Sequence, residues 1–200
     1  LHFDGVYTGF LGSGEQIDII THIFREFSFT KKIVDPVMGD HGTIYDSYTP
    51  KMCHAMKELV AHSTLTTPNL TELCILTDTP YRSDFSQEEI AAMCKKLSET
   101  GVSQIVVTGI EQDNLIGNAL YENGDFDILY GEKILPLRPG TGDVFASILA
   151  GYSLHNIPLR DAIQQASAFI RSCLITSAQY HIPINDGVCF EEHLGMLIPE

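Results

Sequence analysis

Apolar positions along this chain alternate between two spacings. Ile17, Ile20, Ile23, Phe24 and Phe27 recur at helical spacing and predict an amphipathic helix over Glu15–Phe27. Thr49–Ala61 predicts a second helix, with Pro50 well placed in its first turn. Ser86–Thr100 predicts a third, opened by a capping box, Ser86-x-x-Glu89, and stopped at Gly101. Short runs between them read as strands: Gly5–Phe10, Lys32–Asp35, Leu65–Thr67 and Gln104–Thr108. Ile116–Tyr121 and Phe126–Tyr130 flank Asn123-Gly124, a strong hairpin signal. Helices are expected over Gly142–Leu154 and Pro158–Gln179, the latter with Leu159, Ile163, Ala166, Ile170, Cys173 and Leu174 on one face. This order predicts an α/β fold: a mainly parallel central sheet with helices on both faces.

The strand ends carry the polar residues. Thr8-Gly9 closes the first strand, Asp35-Pro36 the second, Thr67-Pro68-Asn69 the third and Thr108-Gly109 the fourth. In an open parallel sheet, ligands bind outside the carboxyl ends of the strands. Strand ends are also where turns begin, so turn chemistry alone accounts for part of the pattern. Asp35-Pro36-Val37-Met38-Gly39-Asp40 sets two carboxylates on one loop. Asn69 and Glu72 share a face if Asn69–Leu76 is helical. Magnesium takes hard oxygen ligands and substrate phosphates, and these groups suit it. The alternative is structural, with Asn69 as a helix cap and Asp40-His41-Gly42 as a polar turn.

The run Arg138-Pro139-Gly140-Thr141-Gly142-Asp143 leads directly into an apolar helical stretch. The first N–H groups of a helix are unpaired and its dipole favours negative charge, so such a turn can seat a phosphate. A carboxylate there is either a helix cap or a base beside a phosphoryl group. Together these pieces suit phosphoryl transfer, which depends on positioning and charge neutralisation. Neither a Walker A motif nor the protein-kinase HRD and DFG motifs occur.

Composition narrows the partners. Two hundred residues suffice for one domain with a sizeable core, and there is no internal repeat, linker or low-complexity segment. A net charge of −14 without a basic stripe argues against nucleic acid and anionic membrane surfaces. No apolar run approaches the ~20 residues of a membrane span. The five cysteines form no CxxC pair and point to a reducing compartment, hence the cytoplasm, with the thiols as small core residues. His22, His54 and His62 fall in helical stretches and read as surface or satisfied residues rather than ligands.

In family order and with family-like spacing, Tyr7-Thr8-Gly9, Asp35-Pro36-Val37-Met38-Gly39-Asp40, Thr67-Pro68-Asn69-x-x-Glu72, Val107-Thr108-Gly109 and Gly140-Thr141-Gly142-Asp143 resemble the pyridoxal/pyridoxamine kinases of the ribokinase superfamily. The resemblance covers essentially the whole chain. It implies that Gly140, Thr141 and Gly142 form an anion hole and that Asp143 is the base that deprotonates a primary alcohol. It implies that Asp35, Thr67 and Thr108 serve ATP, that Asp40, Asn69 and Glu72 serve magnesium, and that the late helices and the segment before Pro139 shelter the adenine. ATP and a small pyridine alcohol would be the substrates. A monovalent cation would be a further candidate cofactor, and a homodimer the expected assembly of the full-length parent.

Family members begin upstream with a first strand, a pyridine-binding loop and a lid. The chain is therefore expected to be the C-terminal portion of a single kinase domain spanning 1–200, unstable or self-associating when isolated. A hydroxymethylpyrimidine or hydroxymethylpyrimidine-phosphate kinase is the near alternative. Those relatives commonly carry cysteine where this chain has Asp143, which favours the B6 branch. A sugar or nucleoside kinase fits the Asp-Pro-Val-Met segment less well. A nucleotide-binding fragment without catalysis is the alternative of another class.

Overall fold

The central strands form where β-branched and aliphatic residues run together, and the first four helices form where a polar cap precedes apolar residues at a spacing of three or four. The computed structural model describes residues 2–198. In chain order its elements are β1 (Gly5–Thr8), α1 (Gly14–Glu26), β2 (Lys31–Val34), β3 (Gly39–Asp40), β4 (Thr43–Ile44), α2 (Pro50–Ala61), β5 (Leu65–Thr66), α3 (Leu70–Leu76) and α4 (Gln87–Ser98). They continue with β6 (Gln104–Gln112), β7 (Leu115–Glu122), β8 (Asp125–Glu132), α5 (Thr141–Leu154) and α6 (Leu159–Gln179), followed by short 3-10 turns. The α/β expectation holds. The main sheet runs β1-β2-β5-β6-β7-β8, and its first four strands are parallel.

The helix starts follow from the capping residues. Ser13 Oγ accepts the Gln16 N–H at 3.2 Å and opens α1, which buries Ile17, Thr21 and Phe24 on one side. Thr49 Oγ1 accepts the Met52 N–H at 3.2 Å with Pro50 in the first turn of α2. The Ser86/Glu89 capping box opens α4 as the spacing predicts. Asn123 and Gly124 both take positive φ in the β7–β8 turn, as a tight two-residue hairpin demands.

Two features depart from expectation. Residues 39–44 fold as the small antiparallel hairpin β3–β4 around His41 and Gly42, more than the polar turn expected there. Strand β6 extends past Thr108 to Gln112 and meets β7 through Asp113-Asn114.

The chain divides into two compact units. The first runs to Ile110 and adds Asn118–Ile128; the second comprises Glu111–Gly117 and the chain from Leu129 onward. In the first unit Ile33, Val34, Leu65, Ile105 and Val107 are buried in the sheet, with Ile17, Phe24, Met56, Leu59 and Leu73 from the helices. Strands covered on both faces read as continuous apolar runs, as these do. Burying each such large side chain contributes ~1.5–3 kcal/mol. In the second unit α5 packs on α6, burying Phe145, Leu149, Ile163, Ala166 and Phe169. Four cysteines are buried as free thiols and Cys189 is half-buried, matching their reading as small core residues. No helix among the described residues is long and apolar enough to cross a membrane.

Candidate active site

Register aligns the strand ends in the first unit. Thr8 pairs with Val34 and Val34 with Thr66. The ladder then continues beyond the strands. The Asp35 N–H donates to Thr8 O at 2.9 Å, the Thr67 N–H to Val34 O at 3.2 Å and the Thr108 N–H to Pro68 O at 2.9 Å. Asn69 and Thr108 form a parallel bridge. The loop residues are thus held by main-chain bonds, and Asp35, Thr67, Asn69 and Thr108 meet along one edge. Asp35 and Thr67 are buried there, and Thr67 Oγ1 donates to Asp35 Oδ1 at 3.1 Å.

Asn69 and Glu72 form a capping box at the start of α3. Asn69 Oδ1 accepts the Glu72 N–H at 3.0 Å, and Glu72 Oε2 accepts the Asn69 N–H at 2.8 Å. Asn69 Nδ2 also donates to Gly39 O at 2.8 Å, while Glu72 Oε1 accepts the Met38 N–H at 3.0 Å. The box therefore ties the loop after β2 to the start of α3. Glu72 is 3% exposed. Desolvation pushes its carboxyl up to about 8; the N–H groups of Asn69, Met38 and Gly39 pull the other way, while nearby Asp35 adds to the rise. Burial and the neighbouring Asp35 thus both favour the neutral form of Glu72. Asp40 lies apart in burial: it is exposed on β3, where its Oδ1 accepts the His41 N–H at 2.8 Å.

Among the described residues no group of three His, Cys, Asp or Glu side chains is placed to hold a metal by itself. Magnesium bound through one or two carboxylates, waters and phosphates needs no such group. The donor set of Asp35, Asp40 and Glu72 with the Asn69 amide has the hard-oxygen chemistry magnesium takes. A cavity of about 610 Å³ elsewhere in this unit is lined by Ile44, His54, Lys57, Thr71, Asp78 and Tyr81 among others, and by none of the expected site residues.

In the second unit, Gly140 is the N-cap of α5, with φ +82° and no side-chain cap. Its left-handed backbone explains the glycine, since a side chain there is strained. Thr141, Gly142 and Asp143 form the first turn, so their N–H groups have no partner within the helix. Thr141 Oγ1 donates to Arg138 O at 3.2 Å. A Cβ added at Gly140 or Gly142 would meet nothing within 4 Å, so the turn is open. Asp143 is not the cap. It stands third in the helix, is exposed, and its carboxylate makes no hydrogen bond or ion pair among the described residues.

Three participants were not anticipated. The Met38 and Gly39 N–H groups hold Glu72, a backbone role that no side chain advertises. Arg138 is buried against the chain near residues 182–187. Its position beside Pro139-Gly140 was the only signal available in the sequence.

The family model of phosphomethylpyrimidine kinase matches residues 1–187. The chain is similar to pyridoxal kinase of Arabidopsis thaliana, 31% identical over 165 residues that make up 76% of this chain and 52% of that protein. It is similar to the hydroxymethylpyrimidine/phosphomethylpyrimidine kinase of Bacillus subtilis, 26% identical over 86% of this chain and 63% of that one. The crystal structure, with pyridoxal, of a protein assigned as a phosphomethylpyrimidine kinase from Bacteroides thetaiotaomicron superposes with a TM-score of 0.93 at 29% identity, covering 100% of this chain and 73% of that one. The chain thus spans about half the length of the Arabidopsis relative. With a matching family model over nearly its whole length and a ribokinase-like fold, the chain belongs to the phosphomethylpyrimidine kinase family of the ribokinase superfamily, alongside the pyridoxal kinases.

Proposed function

We propose that this chain carries the catalytic portion of an ATP-dependent kinase that phosphorylates the primary alcohol of a B6 vitamer, giving the 5′-phosphate and ADP. The observation that carries the reading is Asp143. It stands in the first turn of α5 beside N–H groups with no partner in the helix, and among the described residues no helix cap or ion pair occupies its carboxylate. A carboxylate so placed can accept the proton of an alcohol as that oxygen attacks phosphorus. The N–H groups of Thr141 and Gly142 offer donors to charge developing on the transferred phosphoryl group.

The roles then divide. Asp143 takes the proton, and Gly140, Thr141 and Gly142 shape the anion hole. Asp35, Thr67 and Thr108 serve the nucleotide. Asp40, Asn69 and Glu72 would hold magnesium and its waters, Asn69 and Glu72 also fixing the loop at Met38 and Gly39. When bound, magnesium neutralises phosphate charge and orients the phosphates.

Supporting a pyridine substrate are the aspartate at 143 and the pyridoxal bound to the Bacteroides relative. A second reading, phosphorylation of hydroxymethylpyrimidine or its phosphate, is favoured by the family model and the Bacillus relative. The test is ATP-dependent transfer, with magnesium, to pyridoxal, pyridoxamine, pyridoxine and hydroxymethylpyrimidine in parallel. Transfer to the pyridines is the expected result. Transfer to the pyrimidine alone moves the chain to the second reading, and nucleotide binding with transfer to none marks it as a binding module.

A further inference from the structure

Arg138 precedes the glycine-rich turn, and its position is unusual for an arginine. The residue is 7% exposed, and no carboxylate forms an ion pair with it among the described residues. Its guanidinium instead donates to three backbone carbonyls: Nη1 to Pro183 O at 2.8 Å and Gly187 O at 3.0 Å, and Nη2 to Ile182 O at 2.7 Å. A buried charge is tolerated only when its donors are used, and a planar fork of donors suits several carbonyls at once.

The same two segments also lie close at a second point. Gly187 has φ +79° and ψ −144°, and a Cβ there would stand 3.5 Å from Pro139 O. The segment is anchored on its far side to α6. The Ile182 N–H donates to Ser177 O at 3.0 Å, and the Cys189 N–H to the buried Ser177 Oγ at 2.8 Å. Thr176 Oγ1 and His193 Nε2 lie 2.8 Å apart. On the near side, Arg138 O accepts the Thr141 hydroxyl of the helix start. A continuous set of bonds therefore runs from α6 through residues 182–189 and Arg138 to the first turn of α5.

We propose that Arg138 is a positioning residue: it clamps the segment 182–189 onto the Gly140–Asp143 turn and so fixes where the Asp143 carboxylate and the anion-hole N–H groups stand. The catalytic part of this inference rests on the phosphoryl-transfer reading; the clamp does not. Among the described residues the Arg138 guanidinium hydrogen-bonds to backbone carbonyls alone, so its loss acts through the turn. Lysine keeps the charge but not the fork, and one ammonium cannot serve three carbonyls in the guanidinium's plane.

The experiment uses the full chain and the variants R138K and R138M. Amide exchange is followed at Val144, whose N–H donates to Gly140 O at 3.1 Å, and at Ile182 and Cys189. In R138M all three amides should exchange faster together, by about tenfold, while the strand amides of the first unit do not change. Turnover should fall about 10²-fold with the KM for ATP little changed, as misplacement of a catalytic group produces. R138K should fall between R138M and the wild type on both measures, and it carries the test if R138M does not fold. Faster exchange at Ile182 and Cys189 with Val144 and turnover unaffected overturns the proposal. So does a loss expressed wholly in KM. If the wild type transfers no phosphate to any alcohol, the functional reading fails, and the coupled exchange of the three amides still decides the clamp.

Discussion

Glu72 and Asp143 occupy the same place in two helices, the third residue of the first turn, and they differ in almost everything else. The N-cap of α3 is Asn69, in extended conformation, with a side chain that accepts from Glu72 and a backbone N–H that Glu72 accepts in return. Glu72 is long enough to close that box, and it is buried with both oxygens engaged. The N-cap of α5 is Gly140, left-handed and without a side chain, and the shorter Asp143 stays exposed beside it. A carboxylate at this position is tied into the fold when the cap is a polar side chain and the surroundings are closed. It is available for chemistry when the cap is glycine and the turn is open.

Exchanging the carboxylates for neutral groups separates the two roles. Asp143→Asn should cut phosphoryl transfer by about 10²–10⁴-fold, the range of general-base catalysis. Nucleotide affinity and unfolding midpoint should stay near wild type, as checked by binding and urea titration. Glu72→Ala differs in that it should lose stability along with transfer. It leaves the buried Met38 N–H and the half-buried Asn69 N–H without their acceptor and should lower unfolding stability by about 2–4 kcal/mol. Glu72→Gln retains an acceptor and should recover part of that loss.

The pH dependence of stability sharpens the contrast. In the folded protein the Glu72 carboxyl is raised from 4.5 to about 8. The folded state therefore keeps a proton that the unfolded chain releases, and the stabilisation is present at low pH and lost as pH rises through the folded value. Urea midpoints measured in chelator should fall between pH 5 and pH 8. Glu72→Gln should flatten that slope. Smaller effects come from the caps. Gly140→Ala meets no clash, so its cost is conformational, about 1–2 kcal/mol for a left-handed alanine. Ser86→Ala removes the α4 cap and should cost about 1 kcal/mol in stability with no loss of transfer, because that helix start lies outside the proposed chemistry.

Much of this was legible because local signals agreed. The Ser86/Glu89 box, Pro50 and Asn123-Gly124 each name their own structure within a few residues. The Asn69-x-x-Glu72 spacing is the same box signal, but there the carboxylate also suggested a metal role, and the structural role is the one the hydrogen bonds display. The end of β6 was hidden because Gly109 and the polar pair Glu111 and Gln112 break its apolar run. The β3–β4 hairpin reads as no more than a turn in the sequence because strands of two residues carry no periodicity. The Arg138 clamp joins residues some 45 positions apart, and nothing near Arg138 announces its partners. The strand-end rule was the strongest guide. It works because parallel register levels the ends of β1, β2 and β5 and brings their polar residues to one edge.

The most direct test of the account is the stoichiometry of transfer. ADP and phosphate ester are measured together for wild type and Asp143→Asn, with and without a B6 alcohol. The account predicts one ester per ADP in the wild type, little ADP without the alcohol, and almost neither product in the variant despite bound nucleotide. ADP formed at the same rate without the alcohol, or ester formed at the wild-type rate by Asp143→Asn, would contradict it.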